Sequence, residues 1–163
     1  MKKLFVLLFL SIVLFAPNFA RADSVVLAPN DFFPLSDDAL FQSSIDGLFV
    51  ESGSPSGVFY APVKLPEGAK ITSVVLFYKD DSSSGNIEIN LWKKNIYTLD
   101  NTMMATWTSS ADTAAVPLIH KLSPIYGGNS VNNGGYFYIV RIQFSDPGAF
   151  ADCMLYAVKI MYK

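Results

Sequence analysis

The chain has 163 residues, with 12 basic and 14 acidic side chains, a formal charge of −2 and one cysteine. A slightly acidic balance without a basic cluster gives no phosphate neutralisation, so neither nucleic acid nor an anionic membrane surface is an expected partner. The lone cysteine, Cys153, excludes an intrachain disulfide, and stability has to come from packing.

Met1-Lys2-Lys3 is followed by an apolar run from Leu4 to Leu10, which resumes after Ser11 through Phe15 and is broken by Pro17. Ala20-Arg21-Ala22 places small residues three and one before a cut after Ala22. The apolar run falls short of the roughly 20 residues of a membrane span. Residues 1 to 22 are therefore expected to be a cleaved secretory signal peptide, and residues 23 to 163 a single domain. No stable membrane insertion is expected after cleavage, and the first residue after the cut is Asp23, not a cysteine that could carry a lipid. Cleavage would remove Lys2, Lys3 and Arg21 and leave nine basic groups against 14 acidic ones, a formal charge of about −5.

Val25 to Leu27 predicts a short first strand, after which Pro29 and Pro34 interrupt regular structure around Phe32-Phe33, expected to plug a core edge. Ser36 to Ile45 suits one helical turn capped by Ser36 or Asp37. Gly47 to Val50 and Val58 to Tyr60 predict strands, separated by the loop Glu51 to Gly57, and Pro62 points to an edge or a strand end. In Leu65-Pro66-Glu67-Gly68-Ala69, proline at the second turn position and positive φ at Gly68 predict a tight turn. Ile71 to Tyr78, a polar turn over Asp80 to Asn86, and Ile87 to Trp92 together predict an antiparallel hairpin. Val75 and Phe77 make the second face of the first strand apolar as well, which points to a central strand.

Met103 to Thr108 predicts a strand with Met103, Ala105 and Trp107 on one face, which reads Trp107 as core. After a loop at 109–115, Val116 to Leu122 predicts a strand that Pro117 confines to an edge. The Gly/Asn-rich stretch 127–135 is a loop, and Tyr136 to Phe144 alternates cleanly. The last strand should place Met154, Tyr156, Val158, Ile160 and Tyr162 on one face and Cys153, Leu155, Ala157, Lys159 and Met161 on the other. Eight or nine strands without helical or βαβ rhythm predict an all-β, two-sheet antiparallel sandwich, jelly-roll-like in connection.

Ala61-Pro62-Val63-Lys64-Leu65-Pro66-Glu67-Gly68-Ala69-Lys70-Ile71-Thr72, with Tyr78-Lys79-Asp80 and the closing Val158 to Tyr162, resembles a pattern of uncharacterised secreted bacterial β-sandwich proteins. The resemblance spans about residues 58 to 162 and implies a β-sandwich at a bacterial envelope or exterior, with no reaction and no functional residue.

No catalytic constellation is expected. His120 is the sole histidine, and no serine lies in a Gly-x-Ser-x-Gly elbow. One His and one Cys are a poor zinc set, so no metal and no cofactor is expected. Asp80 and Asp81 with the serines after them form a weak calcium candidate, although a solvated turn needs the same residues. Trp92, with Glu88 and Asn90 on the polar side of one strand, is the candidate ligand site, because a flat ring beside hydrogen-bonding groups suits a sugar. The leading expectation is a non-catalytic secreted structural or adhesive subunit at the bacterial exterior. It would self-associate through edge strands near Val25 or Val116, or at the C-terminal edge. The alternatives are a carbohydrate-binding module that takes an extracellular glycan on an aromatic platform and, last, a small secreted hydrolase resting on unspecific carboxylates.

Overall fold

The computed structural model describes residues 23–51, 54, 57–82, 85–109, 117–145 and 152–163. The expected signal peptide, Val116, the loop at 110–115 and the turn around Asp146 lie outside these residues. The described strands are Asp23–Leu27 (β1), Phe33–Pro34 (β2), Phe41–Ser44 (β3), Gly47–Val50 (β4), Val58–Val63 (β5) and Ile71–Asp80 (β6), followed by Ile87–Asn95 (β7), Asn101–Thr108 (β8), Leu118–Leu122 (β9), Tyr136–Phe144 (β10) and Cys153–Tyr162 (β11). One sheet has the order β3-β4-β11-β6-β9, with β1 also paired to β11; the other has the order β2-β5-β10-β7-β8. Every pairing of named strands is antiparallel. The protein is the expected all-β, two-sheet sandwich, and the chain passes repeatedly from one sheet to the other.

That passing corrects the expected hairpin. β6 lies in the first sheet and β7 in the second, so the two strands face each other across the core instead of sharing a ladder. Both expose an apolar row, Val74, Leu76 and Tyr78 on β6 and Ile87, Ile89 and Leu91 on β7, and all six side chains are buried. Burial against a common core satisfies the alternation as fully as pairing would, so alternation cannot distinguish the two arrangements. The sheets are also joined by rings. Across the core Phe41 packs edge-on to Phe59 at 5.2 Å and Tyr78 to Trp107 at 5.1 Å, and within the five-stranded sheet Phe59 packs edge-on to Phe144 at 6.0 Å. Such contacts add roughly 0.5–1.5 kcal/mol each beyond the area they bury.

Two bulges overturn predicted faces. Between Leu91 and Trp92 of β7 the register to β8 shifts, so Leu91 pairs with Ala105 but Trp92 with Met103. The extra residue, Met104, turns inward with Ala105, and Met103 swings to the outer face. On β11 the shift between Leu155 and Ala157 leaves Tyr156 as the extra residue. Cys153 and Leu155 consequently share the buried face with Val158 and Ile160. A bulge reverses the parity of every residue beyond it, and period-2 reading has no means of anticipating that.

Other expectations are corrected by position. β11 is an interior strand, flanked by β6 on one side and by β1 and β4 on the other, so the C-terminal edge does not exist. β1 and β9 do lie at the margins of their sheet. The turn expected between Ser36 and Ile45 is not helical: it contains a hydrogen-bonded turn, Ala39 N–H to Ser36 O at 3.2 Å, and then β3. Pro62 meets its expectation: it is the penultimate residue of β5, opposite Ile139, where the two-residue β2 no longer covers the strand's other side. Phe32 is buried as expected, whereas Phe33 is 62% exposed. Gly68 has φ +75°, but the turn closes from Ala69 N–H to Pro66 O at 3.2 Å, which makes Pro66 the first turn residue instead of the second.

Candidate functional site

Strand alternation sends Tyr138, Val140, Ile142 and Phe144 of β10 into the core and turns Phe137, Ile139, Arg141 and Gln143 outward. The same alternation on β7 turns out Glu88, Asn90, Trp92 and Lys94. Pairing then assembles outward rows across the five-stranded sheet. Phe33, Tyr60, Arg141, Asn90 and Thr106 form one row. Pro62, Ile139, Trp92 and Met103 form the next, and Phe137, Lys94 and Asn101 the one beyond. A cleft of about 410 Å³ lies on this face, lined by Leu35, Tyr60, Trp92, Lys94, Asn101, Ile139 and Arg141. Its floor combines aromatic and aliphatic surface with a few polar groups, the composition of a small-molecule site.

The polar groups are tied together. Glu88 Oε1 accepts from Asn90 Nδ2 at 2.6 Å and from Arg141 at 3.4 Å, which is also an ion pair. Arg141 donates in addition to Gln143 Oε1. The guanidinium reaches from the position opposite Asn90 to Glu88 on the same face, two residues along β7, where a single N–H meets the carboxylate. Lys94 Nζ lies 5.9 Å from the centre of the Phe137 ring, the reach of a cation–π contact.

The three residues expected to form a ligand platform share this face but not one role. Trp92 is partly buried and lines the cleft, and its Nε1 is buried without a hydrogen-bond partner among the described residues. Asn90 is only 1% exposed, so it is not a ligand-facing group. Its amide orients Glu88, while its Oδ1 has no partner. Glu88 is partly exposed beside the cleft. Sequence reasoning missed Leu35, Tyr60, Lys94, Asn101, Ile139 and Arg141. The outward parity of Ile139 and Arg141 was readable along β10, but the pairing of β10 with β7 and β5 was not.

The other candidates are placed elsewhere. Asp80 is fully buried, and its Oδ1 accepts from the Cys153 thiol at 3.3 Å and from the Ser82 N–H at 3.3 Å. Asp81 is exposed and pairs with Lys79 at 3.7 Å. The two carboxylates are thus engaged by different partners, and no group of three or more His, Cys, Asp or Glu gathers among the described residues. Cys153 is buried, as a small apolar side chain would be. Trp107 packs against the core as expected and stacks on His120 at 4.2 Å and 17°, beside a small cleft that includes Ser123 and Tyr126. Burial lowers the His120 pKa below the ordinary imidazole value. The contact recorded for His120 among the described residues is the stack on Trp107.

No protein-family model and no curated protein sequence matches the chain. In three dimensions it is similar to a Clostridium thermocellum endo-1,4-β-D-xylanase 10B structure with CBM22-1 and GH10 modules and bound xylohexaose. The TM-score is 0.55 at 14% identity, over 87% of this chain and 28% of that one, so this chain spans little more than a quarter of that length. Lower scores relate it to the xylan-binding module CBM15 (0.49, 13% identity, 85% of this chain and 97% of that one) and to a mutant family 29 carbohydrate-binding module (0.44, 12%, 88% and 83%). The likeness is one of fold: a two-sheet antiparallel β-sandwich. Among the described residues no helix is long and apolar enough to cross a membrane.

Proposed function

We propose that this chain is a secreted, non-catalytic carbohydrate-binding module that holds a glycan at the bacterial exterior, on the outer face of its five-stranded sheet. The observation that carries the reading is the cleft itself, about 410 Å³ with Trp92 and Tyr60 in its lining and Arg141 and Asn101 at hand. A pyranose has an apolar C–H face and a rim of hydroxyls. An aromatic ring satisfies the first, and planar donors and acceptors satisfy the second. The sandwich fold shared with the xylanase structure supports this reading, and it makes xylohexaose a reasonable first probe.

The test is titration of the chain 23–163 with soluble oligosaccharides, xylohexaose among them, followed by calorimetry and tryptophan fluorescence. The chain has two tryptophans. A Trp107→Phe background isolates the Trp92 signal. Saturable binding that perturbs Trp92 emission and weakens at least about tenfold in Trp92→Ala, a loss of about 1.4 kcal/mol, supports the reading. An unresponsive Trp92 across the panel defeats it.

A second reading, a structural or adhesive subunit assembled by strand addition, is favoured by one observation. β9 pairs only with β6 among the described strands and carries Ile119 at 68% exposure. Light scattering over a concentration series separates the two. Oligomers that an Ile119→Lys variant dissolves favour strand addition, whereas a monomer at all concentrations excludes it.

A further inference from the structure

We propose that the glycan is acidic: the cleft takes a carboxylate-bearing, uronic-acid-containing chain, with Lys94 and Arg141 as its charge-recognition groups. This rests on the reading of the cleft as a glycan site. Residues 23 to 163 carry five more acidic than basic groups, yet the residues lining the cleft include two cations and no carboxylate. The local sign is therefore opposite to that of the molecule.

The two cations are held differently. Arg141 is balanced by Glu88 at 3.4 Å, and Gln143 takes a further N–H. A guanidinium has five N–H groups in a fixed fork, so donors remain for a ligand carboxylate. Lys94 forms no ion pair among the described residues, and its ammonium sits over the Phe137 ring. The nearest other acid along this hairpin, Asp100, accepts from Thr98 Oγ1 at 2.6 Å and does not line the cleft. Lys93, next in sequence, lies over Tyr136 and donates to the Gly127 carbonyl, so it does not add to this face.

An ammonium in a cleft loses part of its hydration; the Phe137 ring offsets some of that loss, and an opposite charge offsets it most fully. A neutral sugar supplies hydroxyls, whereas a uronate supplies a charge-assisted hydrogen bond, roughly twice as strong. Lys94 and the Arg141 row are separated by four residues of β7, about 13 Å of strand, with Trp92 and Ile139 between them. Charge thus flanks an apolar floor, an arrangement that fits an extended chain carrying carboxylates along its length.

The experiment compares matched pairs of ligands: oligogalacturonate and glucuronic-acid-substituted xylo-oligosaccharide, each against its carboxyl-reduced counterpart, by calorimetry at about 20 mM and about 500 mM salt. Either acidic ligand is expected to bind about tenfold or more tightly than its reduced form, with the preference shrinking at high salt as screening shortens. Lys94→Met should cut the acid-to-neutral ratio to about threefold or less, and Lys94→Arg should retain it. The variant's far-ultraviolet circular dichroism verifies its fold. Equal affinity for acidic and reduced ligands overturns the acidic-glycan proposal and leaves the glycan reading standing. Failure of all the ligands, xylohexaose included, overturns both. A preference for the oligogalacturonate alone or for the substituted xylan alone supports the proposal and identifies which chain carries the carboxylate.

Discussion

Replacing Trp92 with phenylalanine separates a ligand platform from a core residue, because the two accounts predict opposite signs. The indole Nε1 is buried and has no hydrogen-bond partner. Removing an unsatisfied buried donor returns about 1–3 kcal/mol. The phenyl ring has roughly 40 Å² less surface than the indole, worth about 1 kcal/mol if fully buried and somewhat less here, where the residue keeps partial exposure. The net expectation is a variant more stable by about 0–2 kcal/mol, a rise in Tm of up to about 7 °C for a domain of this size. The assay is thermal unfolding at pH 7.5, with urea unfolding to check that the m value is unchanged. Glycan affinity should fall at the same time, because the smaller ring covers less of a sugar face. A Tm lowered by more than about 3 °C would show that the indole is bonded or packed as core, and would refute the argument.

Three further outcomes follow from single positions. Gly68 has φ +75°, and a Cβ there would meet nothing within 4 Å, so Gly68→Ala should cost about 1 kcal/mol from backbone strain alone, and Gly68→Asn less, both read from urea midpoints. The Cys153 thiol donates to buried Asp80, so Cys153→Val should lose about 1–3 kcal/mol while Cys153→Ser, which keeps a donor, should lose less; a tolerated valine would mean that the bond contributes nothing. Burial holds the His120 pKa below 6.5, so the unfolded chain takes up the proton first as pH falls. His120 therefore supports stability above about pH 6.5 and loses that support as pH falls through its folded value. His120→Phe, which keeps a ring on Trp107, should flatten Tm against pH between about 7.5 and 5.5. An unchanged slope would assign the effect to other groups.

How much was legible in the chain depended on whether the information was local. β10 and β11 were bounded correctly because ten or so alternating residues between turn formers leave few choices. The face of β7 was read correctly up to Trp92, since Ile87, Ile89 and Leu91 fix its parity. What failed was relational. Two bulges, at Met104 and Tyr156, reversed parity without a proline or glycine to signal them. The turn after β6 looked like a hairpin, because a polar connection is needed both to reverse within a sheet and to cross between sheets. Most of the candidate site shared this limit. Trp92 and Glu88 could be chosen from one strand, but Arg141 joins them only through the register of β10, more than 40 residues away in sequence.

The outer face of β7 is a poor design for a surface that serves stability alone. Asn90 and Trp92, two residues apart, each bury a polar atom without a partner, at positions where valine or threonine would pack on a sheet without leaving a group unsatisfied. Next to them an arginine and a glutamate are held together at partial exposure, a pairing that adds little to folding. The same groups make sense as a preorganised surface. Asn90 fixes Glu88, Glu88 fixes Arg141, and the guanidinium is then held at the rim of the cleft before any ligand arrives. Asn90→Val tests this chain of support. It should leave Tm unchanged or raised, since it removes the unsatisfied acceptor, while weakening the binding of acidic oligosaccharides about threefold to tenfold through a loosened Arg141. Reduced stability with unaltered affinity would mean that the asparagine serves the fold, and that Arg141 needs no support from it.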